Sequence, residues 1–138
     1  FEDNVLSFYA IDDTVRKFIS IESIDKKLII NTFNRFYKIY SELMNEEQEP
    51  MLNLVSFYEE EYGWRVIIFL RAKHRPAVFF SEDENKMLVS PAAIDLGGVC
   101  VFPRQEDFNR ITKEQVTEIF KEVFIDENKL KSLAVKLS

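Results

Sequence analysis

Residues 64–71, WRVIIFLR, place apolar side chains on both sides of a two-residue alternation, through Val66, Ile67, Ile68, Phe69 and Leu70. A strand of that pattern is covered on both faces, which puts it in the middle of a sheet. Just upstream, Met51 to Tyr58 reads as its neighbour. The intervening EEEYG is a turn in which Gly63 supplies the flexible position and the acids stay wet. Farther upstream, Val5–Ile11 and Val15–Ile21 are two short β-rich runs joined at Asp12-Asp13. In the second, Arg16, Phe18 and Ser20 alternate against Lys17, Ile19 and Ile21. Downstream, Ala77–Phe80 and Lys86–Ser90 are expected to pair as strands around the acidic turn SEDEN. Gly98–Phe102 is expected to add one more.

Between the first and second strand pairs, helical spacing takes over. Ile24, Leu28, Ile29, Phe33, Phe36, Tyr37, Tyr40, Leu43 and Met44 form one apolar face, with Ser23 as the expected N-cap and an end near Asn45. An acidic EEQE run and Pro50 follow, which reads as a solvated loop. Near the C-terminus, Thr112 and Gln115 have the spacing of a capping box. The helix they open presents Val116, Ile119, Phe120, Val123 and Phe124, and a last helix from about Asp126 to Leu133 packs through Leu130 and Leu133. Sequential strands with tight connections predict an α+β fold: a mainly antiparallel sheet with one long helix and C-terminal helices packed on it. Residues 1–138 show no repeat, low-complexity tract or linker and read as a single domain.

The 13 Phe supply large units of burial for that core. A net charge of −6 argues against general affinity for nucleic acid or an anionic membrane surface. No apolar run is long enough to span a bilayer. A single Cys100 gives neither an internal disulfide nor a cysteine metal site, and the lone His74 has no partner ligand, so no metal or other cofactor is expected. The chain reads as cytoplasmic. It opens at Phe1 without an initiator Met, for which processing is one expected reason and truncation of a longer protein the favoured one.

Positive charge is densest at Arg71, Lys73, His74 and Arg75, where the strand pattern stops at Pro76. Such a cluster can hold phosphate or carboxylate, Arg as a two-pronged donor and Lys as a point charge. Alternation would send Arg71, Lys73 and Arg75 to one face and His74 to the other. A second candidate is the small-residue segment Ser90–Gly98: Gly97 and Gly98 allow close backbone approach to an anion, or merely a tight crossover. Within it, Asp95 would pair with a basic side chain or hold a ribose hydroxyl. The third is Arg104, either a second anion contact or a charge neutralised by Glu106 or Asp107. A solvated strand end is the bland alternative for the whole basic cluster.

The run NLVSFYEEEYGWRVIIFLRAKHRP, with SPAAIDLGGVCVFPRQEDFNRIT after it, resembles the C-terminal region of DUF4922-type, ATP-adenylyltransferase-like bacterial proteins. These are distantly similar to GDP-galactose phosphorylases, within the histidine-triad and galactose-1-phosphate uridylyltransferase superfamily. The resemblance spans about Met51 to Val123. It implies a histidine-triad-like half-fold and nucleotidyl transfer, in which a His of a His-x-His motif attacks an α-phosphate. Lys73-His74-Arg75 is not that motif, so the resemblance implies a nucleophile in an N-terminal half preceding this chain. It also implies that Arg71, Lys73, His74, Arg75, Asp95, Gly97 and Gly98 line the nucleotide or acceptor-phosphate side of the cleft. The implied partners are a nucleoside phosphate or nucleotide sugar and the N-terminal half of the protein. The rival readings are a non-catalytic nucleotide- or protein-binding module, and a structural domain that forms a homodimer through an uncovered sheet edge or face.

Overall fold

The computed structural model describes residues 6–12, 16–44 and 49–137. Four strands, β1 (Leu6–Asp12), β2 (Lys17–Ser23), β3 (Leu52–Glu59) and β4 (Gly63–Leu70), form one antiparallel sheet in the order β1-β2-β4-β3. The WRVIIFL run is therefore an interior strand, as its two-sided apolar pattern requires. The expected turn at Asp12-Asp13 and the acidic run after Asn45 fall partly outside the described residues.

The register sorts side chains onto two faces. Ile19 and Ile21 of β2 join Val66, Ile68 and Leu70 of β4 in the main core. Helix α1 (Lys26–Met44) covers that face with Ile29, Phe36 and Tyr40, and the rings of Phe36 and Tyr40 stack at 5.6 Å. Helix α6 (Glu127–Leu137) adds Leu130 and Leu133. On the opposite face, Phe69 packs with Phe120, Val123 and Phe124 from the end of helix α5 (Lys113–Val123), along with Leu96. The α+β architecture expected from the sequence is the one observed. Among the described residues no helix is long and apolar enough to cross a membrane.

Local chemistry explains the element ends. The α1 cap is Asp25 rather than Ser23: the Asp25 carboxylate accepts from Lys27 N at 2.7 Å, and Ser23 Oγ instead accepts from Asp25 N at 3.1 Å. At α5 the capping box is complete, with Thr112 Oγ1 accepting from Gln115 N and Gln115 Oε1 from Thr112 N. Gly63 turns the β3–β4 hairpin at φ +78°.

The region from 77 to 102 departs from expectation. Ala77–Phe80 is a single helical turn, α2, not a strand, and neither Lys86–Ser90 nor Gly98–Phe102 joins a sheet. One backbone bond, Met87 N to Val78 O at 3.1 Å, is all the ladder that forms between the expected pair. The reason is competition for backbone groups. The carbonyls of Glu84, Lys86 and Pro91 accept from Arg110, Arg104 and Arg71. The amides of Leu88 and Val101 donate to the carboxylates of Asp107 and Asp95. Charged side chains satisfy what a neighbouring strand otherwise satisfies. Two short helices punctuate this region, α3 (Ala93–Leu96) and α4 (Gln105–Arg110).

Candidate functional site

The chain leaves β4 at Leu70 and is then held from several sides. Arg71 N donates to Met51 O, Tyr40 Oη of α1 donates to Arg71 O at 3.1 Å, and Ala72 N donates to Val123 O at 2.8 Å. The Arg71 side chain turns inward and is 6% exposed. Its guanidinium donates to Asn53 Oδ1 at 2.7 Å, to the carbonyls of Lys73 at 3.1 Å and His74 at 2.6 Å, and to the Pro91 carbonyl. Burial pulls its pKa down from the usual arginine value, partly opposed by the nearby Asp95 carboxylate. Arg71 thus fixes the backbone path at Lys73 and His74 and ties it to the 90–92 loop.

The strand alternation expected for 71–75 stops at this point. Lys73 swings to α5 and pairs with Glu122 at 2.8 Å, and the same carboxylate accepts from Ala77 N at 3.0 and 3.1 Å. Arg75 lies over the Phe79 ring, 4.2 Å from its centroid, and makes no ion pair among the described residues. His74 is not sent to the opposite face: with Arg71 and Arg75 it lines one cavity of about 520 Å³, completed by Asn53, Phe80, Ser90, Pro91 and Ala92. Both His74 and Arg75 are exposed there.

The other expected site residues lie elsewhere. The Asp95 carboxylate accepts from Ala92 N at 2.8 Å and Val101 N at 3.0 Å, closing its own loop. The amides of Gly97 and Gly98 donate back to carbonyls of α3, at Ala93, Ile94 and Asp95. Gly98 has φ +108° with no heavy atom within 4 Å of where a Cβ would stand. Of the two alternatives for Arg104, the structure has the neutralised one: its guanidinium forks onto Asp107 at 2.8 and 2.9 Å and also pairs with Glu106. Asp107 is fully buried and is bonded by Arg104, Arg110 and the Leu88 amide. Those bonds, led by Arg104, hold its pKa at about 2 against the cost of burial. None of Lys73, Asp95, Gly97, Gly98 and Arg104 lines the cavity at Arg75.

A protein-family model described as "GDPGP1-like, C-terminal domain" matches residues 16–137. The chain belongs to that family. No curated protein and no solved structure matches it. In this GDPGP1-like C-terminal domain, the family match covers every strand and helix after β1.

Several residues that shape the cavity were not singled out from the sequence. Asn53 sits in β3 and reads as an ordinary strand position; its role depends on a buried guanidinium 18 residues away. Phe80 reads as one more core aromatic, yet it is 65% exposed. Glu122 reads as solvent-facing helix charge, and only its reach across to Lys73 and Ala77 gives it away. A second cavity, about 590 Å³, is lined by Val78, Met87, Ile119 and Glu122 among others.

Proposed function

We propose that this domain forms the substrate-holding wall of a phosphorylase or nucleotidyltransferase acting on a nucleoside phosphate or nucleotide sugar, with the histidine nucleophile supplied by an N-terminal half. The family match supports the phosphorylase-like theme. The observation that carries the site is the convergence of His74 and Arg75 on one open cavity, on a backbone locked by Arg71. Arg75 offers a planar fork of donors to phosphate oxygens, and stacking on Phe79 restricts its rotamers before a ligand arrives. His74 contributes a second polar contact beside it.

In the reaction that the resemblance implies, an imidazole nitrogen attacks the α-phosphorus of a nucleotide sugar and the sugar phosphate leaves. Inorganic phosphate then attacks the nucleotidyl-imidazole, releasing a nucleoside diphosphate and the free imidazole. Both steps concentrate negative charge on the phosphoryl oxygens, so a preplaced guanidinium lowers both barriers by electrostatic stabilisation. His74 has no second histidine to complete a His-x-His motif. It acts here as a substrate contact. Lys73 sits behind the wall and holds it through Glu122.

Calorimetric titration with a nucleoside diphosphate tests this reading. Arg75→Ala weakens binding by about tenfold or more, the scale of one lost charge-assisted hydrogen bond. Its thermal stability stays within about 0.5 kcal/mol of the parent, as for exposed sites generally. Unchanged affinity would remove Arg75 from the site. With nucleotide sugar and phosphate together, this chain releases no nucleoside diphosphate; sustained release by rigorously pure protein would contradict the division of labour proposed here.

A further inference from the structure

We infer that Phe80 is the platform on which the planar base of the ligand stacks, beside the cationic end of the cavity that takes its phosphates. This rests on the anion-site reading above and adds to it the part of the ligand that no charge recognises. Large apolar side chains left in water singly need no explanation, but Phe80 is 65% exposed and lines the same cavity as Arg75 and His74. Its placement is enforced. Glu122 takes the Ala77 amide, Phe79 N donates to Pro76 O at 3.1 Å, and the buried Pro76 anchors the start of the turn. Phe79 lies under the Arg75 guanidinium, and its ring meets that of Phe80 edge to face at 5.1 Å and 72°. Phe80 is thereby braced against Phe79 with most of its surface open. An exposed aromatic and an exposed guanidinium, both resting on Phe79 and lining one cavity, match a ligand with a π face at one end and anionic charge at the other. A purely anionic ligand has no use for the ring.

The test uses two probes, a nucleoside diphosphate and inorganic pyrophosphate, against the parent protein, Phe80→Ala, Phe80→Trp and Arg75→Ala, with thermal melts to confirm folding. Phe80→Ala is expected to weaken nucleoside diphosphate binding by about tenfold, the size of one base–aromatic stack, and to leave pyrophosphate affinity unchanged. Phe80→Trp retains the nucleoside diphosphate, and Arg75→Ala loses affinity for both probes. Equal loss of both probes in Phe80→Ala would overturn the inference, because the ring would then only shape the loop. Unchanged nucleoside diphosphate affinity would overturn it too, leaving the anion site standing. A parent protein that binds neither probe would sink the anion-site reading itself, and the platform with it.

Discussion

A guanidinium taken out of water must find acceptors, and Arg71 finds them in Asn53, Lys73, His74 and Pro91. Removing it leaves the buried Pro91 carbonyl and three partly buried acceptors without their donor, so Arg71→Ala is expected to cost about 3 kcal/mol of stability, read by chemical denaturation. Arg71→Lys does not restore it, because one ammonium cannot span those acceptors. Arg75 is therefore the cleaner probe of ligand binding, and a double change at Arg71 and Arg75 confounds folding with affinity. Asp107 makes a sharper case. Its carboxyl is held at about 2, below the usual aspartate value of 3.8, by Arg104 first and then by the Leu88 amide and Arg110. A depressed folded-state pKa gives stability that is complete above the unfolded value. That stability fades as pH falls from about 4 towards 2. Asp107→Asn should flatten the pH dependence in that window and destabilise the protein by about 3 kcal/mol at neutral pH, since Arg104 and Arg110 lose a buried partner. Unfolding curves at pH 7, 4 and 2.5 check both statements.

At the scale of elements, the β3–β4 hairpin depends on Gly63. A Cβ there would stand 2.8 Å from Ile24 Cα and from Ser23 O, both backbone atoms, at a φ of +78°. Gly63→Val therefore combines left-handed strain with a clash that no rotamer relieves, and is expected to cost about 3 kcal/mol or more. Thermal melting measures it; a loss under about 1 kcal/mol would mean the turn has another conformation available. The elements legible in the sequence are those with a period: β4 and its neighbours, the aromatic face of α1, and α5 behind its capping box. Residues 77–102 are strand-like in composition but not in structure, because several of their backbone groups bond to side chains 18 to 26 residues away and others to Asp95 within the segment. No local pattern encodes such partners. Helix α4 is too short to carry a helical period in the sequence, although its acids in the first turn and Arg110 in the last follow the order a helix dipole favours. At the candidate site, the basic cluster at Arg71, Lys73, His74 and Arg75 is legible in the sequence as a density of positive charge. Which of its charges are spent internally, Arg71 on the backbone and Lys73 on Glu122, emerged only once the fold was known.

Across the whole molecule, the segment after β4 is where the layers meet. Tyr40 of α1, Val123 at the end of α5, Asn53 of β3 and the Pro91 loop all bond to residues 71–74 or to the Arg71 side chain that shapes them. A segment held at that many points would change little on binding a ligand, which favours affinity by reducing the entropy lost. The net charge of −6 makes this basic corner a local exception, so anion binding should weaken as salt rises. On the proposed reading, the cavity at His74 and Arg75 is where this domain meets a nucleotide. Titrating ¹⁵N-labelled protein with a nucleoside diphosphate and following amide shifts tests it most directly. The expected result is shifts confined to Asn53, Lys73, His74, Arg75, Phe80, Ser90 and Ala92. Shifts centred instead on Val78, Met87 and Ile119, in the neighbouring cavity, or no shifts at millimolar ligand, would contradict it.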